Sequence, residues 1–266
     1  MLNNPKTTTS SPRPLILVTN DDGINAPGIH LLAKCMPADT EILIVAPDFP
    51  HSGQSSAITV RDPLRITRHP EYSADNITAY SVNGTPVDCV KLAMHALTGC
   101  KPDLVVAGIN HGSNAGTSVI YSGTMGAVFE GCMQDIPSIG YSLLDHSMQA
   151  DFTYCLPFVK EITAKVIASG LPERVCLNVN FPANVVIKGA KVVAASHSYW
   201  TDEYKEYTDP HGHRFYMLTG ELINQEPDNP GTDLYWLERD YATIVPATPD
   251  QNEVDAIPGL KGVLEL

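Results

Sequence analysis

From Leu15 to about Val179 the chain alternates short β-branched runs with longer segments of helical periodicity. That order restricts the fold more than any other feature, because strands separated by helix-length segments build a parallel sheet covered by helices. Strands are predicted at residues 15–19, 41–46, 79–82, 104–107, 138–141 and 176–179. Helices are predicted at 28–34, 86–97, 124–133 and 153–169. The fold class expected is α/β, a Rossmann-like doubly wound and mostly parallel sheet.

Ligands of open parallel sheets sit outside the carboxyl ends of the strands. Three loops there are rich in Gly, Ser, Asn and Asp: NDDGINAPG after the first strand, APDFPHSGQSSAIT after the second, and AGINHGSNAGTSVIYSGTMGA after PDLVV. Their convergence on one rim is the main reason to expect a site. In the first loop Asp21 and Asp22 leave a buried strand side by side, and two such carboxylates repel unless a cation lies between them. Oxygen donors favour a hard ion such as Mg²⁺ or Mn²⁺ over zinc. The same two acids could instead sit in an exposed turn and cap the following helix. Ser52 in HSGQSS and Asn110 in GIN could add neutral oxygens to such an ion, or could simply be turn residues.

The third loop carries glycines at 108, 112 and 116 and then YSGTMGAVFEG, which opens a helix. Backbone N–H groups of a Gly-rich turn and of a helix start can bind phosphate, with Asn114, Ser122 and Thr124 as further donors. The glycines could equally do no more than permit tight turns. Other phosphate and acyl chemistries lose support: there is no G-x-x-x-x-G-K-[ST], no G-x-G-x-x-G after the first strand and no G-x-S-x-G elbow. His211 and His213 in PHGHR read as a solvent-exposed tip rather than a metal pair.

A formal charge of −13 argues against nucleic-acid duplexes or anionic membranes as partners. No run approaches the ~18 apolar residues of a membrane span, and the polar start reads as a tail without a secretory signal. Six dispersed cysteines with no C-x-x-C read as mostly buried thiols in a reducing compartment, so a cytoplasmic location is expected. After about Ala190 the texture becomes aromatic and polar in alternation, predicting a β-hairpin over 196–220 that turns at Asp209-Pro210-His211-Gly212. A short helix and a final strand should follow. The expected division is a tail at 1–13, a catalytic core at 14–190 and a C-terminal hairpin and oligomerisation region at 191–266. Six aromatic residues are too many for a solitary ribbon, so a homodimer or homotetramer through this region is predicted.

Taken together, VTNDDGINAPGI, VAPDFPHSGQSSAIT, VNGTPVDCVKLAMHAL and PDLVVAGINHGSNAGTSVIYSGTMGAVFEG resemble the successive signature blocks of the survival protein SurE family. The resemblance is strong over residues 15–145 and extends through YWTDEY, DPHGHRFYMLTGE and GTD. It departs at RDYATIVP, where family members often have a Gly-Tyr-Val-Ser-type strand. It implies a phosphomonoesterase that depends on one divalent metal ion and acts on nucleoside 5′- and 3′-monophosphates, with short polyphosphate as a further substrate. The metal ligands it implies are Asp21, Asp22, Ser52 and Asn110, one of the two aspartates handling the attacking water. Asn114, Ser122, Gly123 and Thr124 would lie near the phosphate. The rival expectation is a nucleotide or metal sensor that binds without turnover.

Overall fold

The computed structural model describes residues 13–147 and 149–264. All but the last residue of the predicted tail lies outside them. Along the chain run β1 Leu15–Thr19, α1 Pro27–Cys35, β2 Glu41–Pro47, β3 Ile66–Arg68, β4 Ile77–Val82, α2 Pro86–Leu92 and β5 Leu104–His111. Then come α3 Gly123–Met133, β6 Ser138–Leu143, α4 Leu156–Ser169, β7 Cys176–Phe181 and β8 Ala190–Val192. The remainder comprises β9 Ser198–Thr201, β10 Tyr204–Thr208, β11 Arg214–Leu218, β12 Glu221–Asn224, α5 Asp233–Leu237, β13 Ala242–Ala247 and α6 Ile257–Leu264.

Strands pair in the order β3-β4-β2-β1-β5-β6-β7-β13-β8. The six from β4 to β7 are mutually parallel, and β3 and β13 join antiparallel to their inner neighbours. Side chains of β1 alternate between the faces, as strand geometry requires. Ile16 and Val18 enter one apolar core with Ile29 and Leu32 of α1 and Val159 and Ile162 of α4. Leu17 enters the other with Val90 of α2 and Met125 and Val128 of α3. Both faces are thus covered, which is why the central strands read as continuous apolar runs. This is the doubly wound α/β fold expected.

From β1 the chain first builds outward through β2 and β4, then returns to add β5, β6 and β7 on the opposite side. The loops after β1 and β5 therefore part, leaving a crevice at the carboxyl ends of two adjacent strands.

All six predicted strands and four helices form, with instructive differences at their ends. β5 continues past Ala107 to His111, through a register irregularity that seats Asn110 opposite Ser142 and His111 opposite Leu143. Helix α4 begins at Leu156 and not at 153, because the Asp151 carboxylate accepts the Thr153 N–H at 2.9 Å and holds a turn there. Helix α2 relaxes into a wider π turn over Ala93–Thr98, closed by Gly99 at φ 65°. The predicted hairpin is two ribbons in series, β9 with β12 and β10 with β11. All ten residues of β10 and β11 are exposed, so in the single chain the tip does not fold back on the core. His211 and His213 lie at this tip, exposed.

Five of the six cysteines are buried and Cys100 is exposed. Among the described residues no helix is long and apolar enough to cross a membrane.

Helix α1 can lie this close to β5 only because residue 28 is glycine. A Cβ there would collide with the Ile109 carbonyl oxygen. Gly28→Ala is expected to lower stability by ~1–3 kcal/mol in urea unfolding, the usual range for overpacking. Gly259→Ala, in α6 with open space around it, should be neutral or stabilising, since alanine is intrinsically favoured over glycine in helices by ~1 kcal/mol. Equal effects at both positions would deny the close approach.

Candidate metal and phosphate site

The first loop is tied before any ligand arrives. Asn20, fully buried, clamps Gly23 from both sides: its Nδ2 donates to the Gly23 carbonyl at 3.0 Å and its Oδ1 accepts the Gly23 N–H at 3.2 Å. Gly23 takes φ 93°, a conformation suited to glycine. Ile24 N–H bonds to the Pro47 carbonyl at 2.9 Å, and His51 N–H donates to the Asp21 carbonyl at 2.7 Å. The first and second loops are one unit here. Ser52, exposed, is the next residue after that bond.

Asp21 is 4 % exposed. Thr124 Oγ1 donates a short hydrogen bond to its Oδ1. Burial pushes the Asp21 pKa up from 3.8 to about 6 and the neighbouring Asp22 charge adds to the rise, while the Thr124 hydroxyl and the amides of residues 21 and 124 oppose it. Gly123, the first residue of α3, packs on this carboxylate. A Cβ at 123 would lie 2.8 Å from Asp21 Cβ and 2.9 Å from Oδ2. The positive end of α3 is thereby brought against the acid. Asp22 Oδ2 accepts two bonds from one residue, His111: from its backbone N–H at 3.2 Å and from its ring Nδ1 at 2.9 Å. Asn110, at the end of β5 and largely buried, donates its amide to the Gly112 carbonyl at 2.9 Å.

Among the described residues no three His, Cys, Asp or Glu side chains converge to hold a metal. A cation at the Asp21–Asp22 pair would therefore take its other protein ligands from neutral oxygens. Ser52 and Asn110, on the loops beside the pair, carry such oxygens, and an all-oxygen set suits a hard divalent ion. Burial works against the ionised form of Asp21, and a cation beside it would favour that form, which gives a further reason for one. The residues present fit Mg²⁺ or Mn²⁺.

The Gly-rich loop differs from expectation. The N–H groups of His111, Gly112, Asn114, Ala115, Gly116 and Thr117 donate to Asp22, Leu143, Asn180, Ser113, Asp233 and Ser198 respectively. With these amides engaged internally, the loop backbone is scaffolding and not an open phosphate cradle. Asn114 is part of that scaffold: its Nδ2 donates to Ser142 Oγ at 2.8 Å, and Asn178 Nδ2 donates to its carbonyl at 2.8 Å. Ser122 Oγ caps α3 by accepting the Met125 N–H at 3.0 Å. Thr124 is held behind Asp21 and Gly123 beside it, so of the predicted phosphate residues these three at the helix start are the ones grouped with the carboxylates.

Sequence reasoning missed His111, because a histidine after a candidate ligand has no distinguishing pattern. It also missed Asn178 and Asn180, which form a 2.9 Å side-chain bond. Alternating asparagines in the apolar run CLNVNF were a readable sign of an inward polar network.

The sequence model of "Survival protein SurE" matches residues 16–202. A "5'-nucleotidase SurE" of Christiangramia forsetii is 46% identical over 243 residues, covering 90% of this chain and 92% of its own. One of Bacteroides fragilis is 45% identical over 251 residues, covering 94% and 97%. The crystal structure of the SurE protein from Aquifex aeolicus superposes with a TM-score of 0.81 at 32% identity, over 94% of this chain and all of that one.

Between pH ~4 and ~6 the native metal-free protein holds a proton on Asp21 that the unfolded chain has released, given a folded pKa of about 6 against 3.8. Its stability therefore falls as pH rises through that window, by about 3 kcal/mol at ~1.4 kcal/mol per pKa unit, and stays lower at neutral pH. Asp21→Asn should remove the penalty: in thermal melts with chelator, the variant gains on the parent between pH 4 and 7.5. Parallel melting curves across that range would contradict the strained carboxylate.

Proposed function

The chain belongs to the survival protein SurE family, and from that premise we propose that it is a 5′-nucleotidase, hydrolysing nucleoside monophosphates to nucleoside and phosphate in the crevice between β1 and β5. The observation that carries the reading is the Asp21–Asp22 pair, set at the sheet's switch point and faced by the start of α3. We further propose dependence on Mg²⁺ or Mn²⁺ held by Asp21, Asp22, Ser52 and Asn110, and extend the substrates to 3′-monophosphates and short polyphosphate. A divalent ion there would neutralise phosphate charge and supply a water acidic enough to attack at neutral pH.

The chain's own residues do the rest. Thr124 Oγ1 fixes one oxygen of Asp21, and His111 fixes one oxygen of Asp22. Gly123 carries no side chain, so the start of α3, where N–H groups favour negative charge, lies directly against Asp21. Ser122 keeps that turn wound through its cap on Met125. Asn114 contributes by welding the third loop to β6 and β7. Two carboxylates beside an anion site support turnover over mere sensing, since a simple anion binder gains nothing from added negative charge.

Tyr204, Tyr207, Phe215, Tyr216, Met217 and Leu218 leave an apolar surface on the β10–β11 ribbon. In this reading a second copy of the chain covers it.

Chelator-stripped protein given 5′- and 3′-nucleoside monophosphates should release phosphate only when Mg²⁺ or Mn²⁺ is restored. Asp21→Asn should release it at least ~100-fold more slowly, as loss of several kcal/mol of charge stabilisation requires. Tight nucleotide binding without release would favour the sensor. Light scattering at micromolar concentration should find dimers or larger; a strict monomer would leave the ribbon without its partner.

A further inference from the structure

We propose that His111 is a positioning residue for Asp22, fixing which carboxylate oxygen faces a divalent cation. The inference rests on the metal reading of the Asp21–Asp22 pair and adds to it a residue outside the ligand set. Its ring Nδ1 and its backbone N–H converge on the same atom, Asp22 Oδ2, at 2.9 and 3.2 Å. A carboxylate accepts and does not donate, so Nδ1 carries the proton. Two donors on Oδ2 set the rotation of the carboxylate and leave Oδ1 as the oxygen that no described residue engages.

The imidazole is itself locked. Its side chain is 4 % exposed, Phe152 meets it edge-on with ring centroids 5.1 Å apart, and the backbone at 111 is paired opposite Leu143 in the sheet. Nε2 is buried with no hydrogen-bond partner among the described residues. A histidine kept for packing alone would be better replaced by an apolar ring, which buries no unmatched nitrogen. What the imidazole adds over such a ring is the Nδ1–H on Asp22. The end of β5 thus presents a candidate ligand, Asn110, and beside it the group that orients another.

Two substitutions separate positioning from packing. His111→Phe keeps the ring against Phe152 and removes the donor; His111→Asn gives up the ring and can place an amide N–H near the Nδ1 position. Mn²⁺ affinity of the chelator-stripped protein, read by electron paramagnetic resonance, should fall 10–100-fold in His111→Phe, the usual cost of losing a hydrogen bond to a metal ligand. His111→Asn should recover most of that loss, and kcat at saturating Mn²⁺ should follow the same order. Parent-like affinity in His111→Phe, or an Asn variant weaker than the Phe variant, would overturn the proposal and leave a packing residue. Should His111→Phe fail to fold, His111→Leu supplies the donor-free case. Asp21→Asn serves as the control: if it binds Mn²⁺ like the parent, the metal reading falls and takes this inference with it, whereas a crippled Asp21→Asn beside a parent-like His111→Phe overturns the positioning role alone.

Discussion

Two negative charges on adjacent residues at the mouth of a buried strand are the arrangement around which the crevice is organised. Removing Asp21 from water raises its proton affinity, and Asp22 raises it again. Each compensation comes from a different part of the chain. Thr124 from α3 donates to one oxygen, His51 from the second loop holds the backbone, and His111 from β5 takes the neighbouring acid. The site can be assembled only when β1, β2, β5 and α3 are all in place.

The same reasoning explains the glycines. Gly28 and Gly123 let α1 and α3 approach Ile109 and Asp21 more closely than any side chain allows. Neither needs a special backbone angle; each is a matter of space. The Gly-rich third loop is held by acceptors beneath it, including the fully buried Asp233, whose carboxylate accepts from Gly116 N–H at 2.8 Å and from both Ser196 N–H and Ser196 Oγ at 2.8 Å. A buried carboxylate satisfied by this many donors is a firm anchor. It links the segment after residue 190 to the loop that follows β5, and β13 from that segment completes the main sheet beside β7.

Much of this was legible from the chain alone. The runs at 15–19, 41–46 and 104–107 had to be buried strands, since nothing else accommodates short β-branched stretches between helix-length segments, and the loops after them are the ones that meet. The ends were harder, because they depend on local competition: Asp151 delays α4, and pairing with β6 extends β5 to His111. Contacts between residues far apart in sequence were harder still. Thr124 could be named as a hydroxyl near a phosphate loop, but not as the donor to a carboxylate 103 positions earlier. The loop amides looked available because their acceptors, Asn180, Ser198 and Asp233, lie in later segments.

By itself, the order of apolar runs and polar loops determined a doubly wound parallel sheet with its chemistry at the carboxyl ends of the strands, because period and spacing are local properties of a chain. The choice of which polar groups remain open to a ligand was made only in the folded molecule. A donor or acceptor is available only if no nearer partner has claimed it, and in this protein those partners come from strands and loops up to 117 residues away.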